Sequence, residues 1–170
     1  GYVASAPGVL ATAIGPVAVA TGQETVAIGY NTSTTGNSGT AIGANATAVG
    51  NGLAIGYTAN ASGSTSISIG QNSTSAGIGA FAMGNSSSAG FNFSIALGTA
   101  TVTTAARQLV IGSNDTGNSL NITEAYFGSG VTSTGPQQII MSASGGSGTD
   151  IAGANMVIAG GKATGNAASG

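Results

Sequence analysis

Cysteine, histidine and tryptophan are absent from this 170-residue chain, and lysine plus arginine number only 2. Without cysteine there is no disulfide, thiolate ligand or thiol nucleophile, and without histidine neither a Ser-His-Asp nor a Cys-His arrangement can be assembled. The two cations, Arg107 and Lys162, cannot form a stripe that neutralises a phosphate backbone, so nucleic acid is not an expected partner. The four carboxylates are Glu24, Asp115, Glu124 and Asp150, and the net charge is −2. The last three follow no EF-hand or calcium nonapeptide spacing, so no metal or cofactor is expected and the chain reads as non-enzymatic. No apolar run reaches eighteen residues, which leaves no candidate for a membrane-spanning helix. The stretch from Gly1 to Ala20 is apolar but lacks a charged start and an initiating Met, which points to a fragment or a processed product.

Glycine is abundant, at 31 residues, yet 41% of the chain is hydrophobic and falls in register rather than at random. The triplet Ala-Ile-Gly or a close variant ends at Gly15, Gly29, Gly43, Gly56, Gly70, Gly84, Gly98 and Gly112, with intervals of 14 residues and a single 13. A fixed period held over eight copies is the signature of stacked repeats. Within one unit, two short alternating stretches are separated by glycines, the second set being Gly22, Gly36, Gly50, Gly63, Gly77 and Gly90. Two strands joined by two glycine-marked turns make a flattened coil, and the density of Gly and β-branched residues excludes helix.

Stacking the units aligns columns. One apolar column reads Thr12, Val26, Thr40, Leu53, Ile67, Phe81, Ile95 and Leu109; a second, two residues on, reads Ile14, Ile28, Ile42, Ile55, Ile69, Met83, Leu97 and Ile111. Residues two apart on a strand share a face, so both large columns point the same way. The residue between them is small, from Ala13, Ala27 and Ala41 through Ala96, with Val110 the exception. The second strand is also small on one face, as in Ala18/Ala20, Thr32/Thr34, Ala46/Ala48, Ala59/Ala61 and Ser73/Ser75. A thin interior accepts Ala and Ser but crowds Ile and Leu, so the small columns are placed inside and the large ones outside. At about 1.5–3 kcal/mol for each buried Val, Leu, Ile, Met or Phe, the outer stripe is worth covering, and it exceeds what a soluble monomer ordinarily exposes. The predicted homotrimer seam is Val26, Ile28, Ile42, Leu53, Ile55, Ile67, Ile69, Phe81, Met83, Ile95, Leu97, Leu109 and Ile111.

Units such as Thr25–Thr32 (Thr-Val-Ala-Ile-Gly-Tyr-Asn-Thr) and Gly39–Gly50 (Gly-Thr-Ala-Ile-Gly-Ala-Asn-Ala-Thr-Ala-Val-Gly) resemble the head repeats of YadA-type trimeric autotransporter adhesins, over about residues 12–112. The resemblance implies an all-β fold, a left-handed parallel β-roll of about eight coils, with three rolls meeting around an apolar core. Residues 1–112 are accordingly expected to form the head roll.

Residues 113–170 form a second expected segment, in which the 14-residue beat stops. Ile122, Ile140 and Ile158 stand 18 apart, with Leu120, Gln138 and Met156 two positions earlier, which suggests wider β-coils or a β-prism. Pro136 and Ser144–Gly148 mark turns, and proteolysis is expected first near 113–119 or 143–149. The stretches Asn121–Thr132 and Gly148–Gly165 resemble parts of phage tail-fibre proteins that also carry head repeats. The two resemblances together imply a trimeric, extracellular fibre segment of a phage tail fibre or similar particle that displays an attachment element to a glycan or protein receptor. The first alternative is a bacterial adhesin head that binds host or matrix protein; the second, an ice-binding solenoid, is disfavoured because Thr32/Thr34 and Thr101/Thr103 are isolated among Ala and Ser rungs. Asn31, Asn45 and Asn72 are expected to satisfy turn backbone groups or to form a ladder. Tyr30, Tyr57, Phe91 and Phe93 are expected to pack at turns or at the seam, with sugar contact the minority reading. Arg107 and Lys162 are read as seam partners of carboxylates.

Overall fold

Three-residue stretches such as Val-Ala-Ile are too short to form a stable sheet alone, but copies repeated every coil hydrogen-bond to one another in register. A computed structural model describes residues 3–112, and there the copies build two parallel sheets. The first has eight strands: β1 (Thr12–Ile14), β3 (Val26–Ile28), β5 (Thr40–Ile42), β7 (Leu53–Ile55), β9 (Ile67–Ile69), β11 (Phe81–Met83), β13 (Ile95–Leu97) and β14 (Leu109–Ile111). The second has six: β2 (Val19–Ala20), β4 (Ser33–Thr35), β6 (Thr47–Val49), β8 (Asn60–Ala61), β10 (Thr74–Ser75) and β12 (Ser88–Ala89). Single parallel bridges, Ser5 to Val19 and Ser88 to Val102, continue the second sheet at both ends. The result is the all-β parallel solenoid expected from the repeat, with seven turns between its eight first-sheet strands. The expected segment 113–170, with its 18-residue interval, Asp115, Glu124, Asp150 and Lys162, lies outside the described residues.

Register is strict. Ile28 pairs with Ile42, Ile42 with Ile55 and Ile55 with Ile69. The one 13-residue interval has a definite place. Thr35 pairs with Val49, 14 residues on, whereas Thr40 pairs with Leu53, 13 on, so the missing residue is lost from the turn Gly50–Gly52 before β7. A deletion in a turn leaves every strand facing as before; a deletion within a strand would invert it.

The interior is lined by four small columns. In one coil these are Thr25 and Ala27 from the first-sheet side and Thr32 and Thr34 from the second, all fully buried. Sequence periodicity identified three of the four. The column of Thr25, Gly39, Gly52, Ser66, Ala80 and Ser94 escaped it, although its members are just as small and keep the same spacing. Among the described residues the buried apolar ones are all alanines, and the largest fully buried side chains are threonines. Buried hydroxyls are tolerated because turn carbonyls lie within reach: Thr25 Oγ1 donates to Gly22 O at 2.9 Å, Thr32 Oγ1 to Gly43 O at 2.8 Å and Ser73 Oγ to Gly70 O at 2.9 Å. Ser68 Oγ donates across the interior to Ser73 Oγ at 2.8 Å. Among the described residues, Thr34 Oγ1, Ser75 Oγ and Asn60 Oδ1 are buried without a partner.

The Ala-Ile-Gly glycines are steric requirements. Gly29 has φ +138°, and a Cβ there would stand 2.5 Å from the carbonyl oxygen of Gly43 in the next coil. The turn that follows each such glycine places its next residue but one in the left-handed region: Val17, Asn31, Asn45, Thr58, Asn72, Ser86 and Ala100, at φ 50–59°. From Asn31 onward their backbone N–H groups bond to the preceding coil, as Asn45 N does to Tyr30 O at 2.8 Å and Thr58 N to Ala44 O at 2.9 Å.

Candidate functional site: the outer faces and corners of the roll

With the interior filled by Ala, Ser, Thr and Gly, every larger side chain is pushed outward, and the outer surfaces differ sharply from one another. Alternation along each first-sheet strand turns its middle residue inward and its flanking residues outward, giving the half-buried, buried, half-buried sequence of β3, β7, β9 and β13. All thirteen residues predicted for the seam therefore lie on the outer face of the eight-stranded sheet, in two axial columns. Among them exposure is largest at the last described rung, 58% for Leu109 and 54% for Ile111, while most inner rungs are shaded by neighbours above and below. Among the described residues, no Val, Leu, Ile, Met or Phe is buried within the chain.

The outer column of the six-stranded sheet is polar between its ends: Val19, then Ser33, Thr47, Asn60, Thr74 and Ser88, then Val102. The threonines that sequence reading set against an ice-binding array, Thr32, Thr34, Thr101 and Thr103, are buried inside the roll.

Two lines of corners separate the sheets. At the corner after the first-sheet strands, side chains bond along the axis, and Thr58 Oγ1 also reaches its own turn at Tyr57 O, at 2.8 Å. Asn31 Nδ2 donates to Asn45 Oδ1 at 2.8 Å, Thr58 Oγ1 donates to Asn72 Oδ1, and Asn85 Nδ2 donates to Gln71 Oε1 at 3.1 Å. This is the ladder alternative of the sequence reading, and Asn suits it because Asn tolerates the left-handed region. Tyr30 and Tyr57 stand on this corner and are about half exposed. The opposite corner carries Glu24, Ile78, Phe91, Phe93 and Arg107. Glu24, Phe93 and Arg107 share its left-handed column at φ 57–58°. Phe93 covers Gly79 of the coil before, where an added Cβ would meet ring atom Cδ1 at 3.0 Å. The aromatics thus sit at turns, as expected, but remain 44–56% exposed. Arg107 lies on this corner, away from the apolar columns, because its backbone occupies a turn position. Glu24 and Arg107 are the only charged side chains among the described residues, and they sit six coils apart, too far to pair.

No cluster of three His, Cys, Asp or Glu side chains forms among the described residues, and no helix there is long and apolar enough to cross a membrane. The described outer surface has one apolar face, one face mainly of hydroxyls and amide with valines among them, and two corners with aromatics.

Comparison with known proteins agrees with this geometry. The family model for the YadA head domain repeat matches residues 6–32, 20–46, 50–73 and 75–101, which together span more than half of the chain. Among solved structures, the chain is similar to the collagen-binding domain of the Yersinia adhesin YadA, with 28% identity, a TM-score of 0.56, and coverage of 88% of this chain and 81% of that one. Curated proteins gave no match. Both matches favour the adhesin alternative over the tail-fibre reading, which drew on stretches outside the described residues. The chain belongs to the YadA head domain repeat family.

Proposed function

We propose that this chain is the head of a homotrimeric, surface-exposed adhesin in which three rolls pack their apolar faces together and present their polar faces and corners to a matrix protein of the collagen class. One observation carries the reading: among the described residues the buried apolar side chains are only alanines, while thirteen large ones line up in two columns, broken only at Thr40, on one outer face. A chain with so small an interior gains little from burying it, and ordering each residue costs roughly 1–2 kcal/mol of backbone entropy. Burial of the Val26–Leu109 and Ile28–Ile111 columns between protomers offsets that cost.

The partner class follows from the relative, which is a collagen-binding domain, and from the scarcity of charge on the free surfaces, which suits a partner recognised through shape and neutral hydrogen bonds. The test is binding of the trimeric head to immobilised fibrillar collagen, read by surface plasmon resonance. Saturable binding that is lost in the Ile55→Asp variant is the expected result. A folded, trimeric head that binds neither collagen nor another matrix protein contradicts the proposal.

A further inference from the structure

Tyr30 and Tyr57 are 27 residues apart in sequence and in register on the same corner. The chain of backbone bonds Asn45 N to Tyr30 O, Thr58 N to Ala44 O and Asn72 N to Tyr57 O stacks Tyr30, Ala44 and Tyr57 on three successive coils. The turn that lost a residue, Gly50–Gly52, belongs to the opposite corner, so the register here is undisturbed. Two coils at about 4.8 Å each put the tyrosines about 9.6 Å apart along the axis. Ala44 between them is small and leaves a notch. The rings are 52% and 53% exposed, and neither hydroxyl bonds elsewhere among the described residues.

Each tyrosine has the same polar companion. Asn45 and Asn72 follow Ala44 and Gln71, the residues stacked on Tyr30 and Tyr57, and they too are two coils apart. Both use Oδ1 inside the ladder, accepting from Asn31 and Thr58 respectively. Neither Nδ2 group has a partner among the described residues, so both remain as donors. The column then changes character at Gln71 and Asn85, whose side chains bond each other. The aromatic part is therefore a finite, two-point site.

A polyproline II strand has three residues per turn and rises about 3.1 Å per residue, so residues three apart lie on one face about 9.3 Å apart. Its carbonyls make no internal hydrogen bonds and need donors, and aromatic-lined surfaces are the usual receptors for such strands. We propose that the Tyr30–Ala44–Tyr57 corner docks a neutral, proline-rich strand in this conformation. Two prolines three residues apart stack on the tyrosine rings, and Asn45 and Asn72 donate to strand carbonyls. The site rests on the adhesin reading only for the source of the strand, because collagen chains are polyproline II-like. An extended glycan is the competing occupant, but the match of spacing and the paired amide donors favour the peptide.

The experiment titrates synthetic oligoproline into the trimeric head by calorimetry, alongside Tyr30→Ala, Tyr57→Ala, the double Ala variant and the double Phe variant, each with its mass checked by sedimentation. Collagen binding is measured on the same set. Saturable binding weakened at least about tenfold by each single Ala change, abolished by both and retained by the Phe pair is the expected pattern. Equal binding by the double Ala variant overturns the proposal, as does binding of a chito-oligosaccharide in place of oligoproline. A head that binds oligoproline through the tyrosines but ignores collagen upholds the site and refutes collagen as its partner. A head that binds collagen equally with or without the tyrosines, and no oligoproline, does the reverse.

Discussion

Replacing Gly29 by Ala and Gly90 by Ala makes the same chemical change in the same solenoid and is expected to shift stability in opposite directions. At Gly29 the backbone has φ +138°, outside the range of ordinary L-residues, and the new methyl would stand 2.5 Å from Gly43 O and 2.7 Å from Thr32 Oγ1. The strain costs about 1–3 kcal/mol. The Gly43 carbonyl must also move, and it accepts the Thr32 hydroxyl at 2.8 Å from inside the roll; loss of that buried bond adds about 1–3 kcal/mol. The expected destabilisation is therefore about 2–6 kcal/mol. Gly90 has no positive φ and open space around its Cβ position. Alanine there restricts mainly the unfolded chain and should stabilise by about 0.4–1 kcal/mol. Urea unfolding followed by far-ultraviolet circular dichroism, at one protein concentration because assembly contributes to stability, measures both. A Gly29→Ala protein as stable as the parent, or a Gly90→Ala protein equally damaged, refutes the assignment of the Ala-Ile-Gly glycine to a forced close approach.

Other substitutions probe the interior and the corners. Val17 holds φ 59° where its column otherwise favours Asn, so Val17→Asn should raise the unfolding midpoint, with about 1 kcal/mol of strain relieved; a lowered midpoint would count against that strain. Ala54 is fully buried in a cluster with Ala41, Ala46, Ala48, Ala59 and Ala61, and Ala54→Leu should cost about 1–3 kcal/mol in the same assay because the roll has no room for the extra volume. Thr34 Oγ1 is buried without a partner, and Thr34→Val should be neutral or stabilising, by up to about 1–3 kcal/mol; clear destabilisation would reveal a hydrogen bond for that hydroxyl.

Much of the fold could be read from side-chain volume and period. Ala41 between Thr40 and Ile42, repeated every coil, assigned inside and outside because only small residues fit a thin roll. The column of Thr25, Gly39, Gly52, Ser66, Ala80 and Ser94 was missed because it mixes four residue types and offers no recurring letter. The left-handed corner positions were half legible: Asn31, Asn45 and Asn72 signal them, but Val17, Phe93 and Arg107 do not, since there the stacked backbone overrides local preference. Thr32 and Thr34 were placed inside by their small volume alone, and both are fully buried. The tyrosine corner was the least visible, because its meaning depends on where the single missing residue falls. Had the loss been at the Tyr57 turn rather than at Gly50–Gly52, the two rings would not share a column.

The central claim is that the apolar columns are an interface. Sedimentation equilibrium at micromolar concentration tests it most directly, on the parent chain and on Ile55→Asp. A parent mass three times that of the 15.8 kDa chain, with the variant dissociated or unfolded, is the predicted outcome. A stable, folded parent monomer, or an Ile55→Asp protein with unchanged trimer mass, would contradict it.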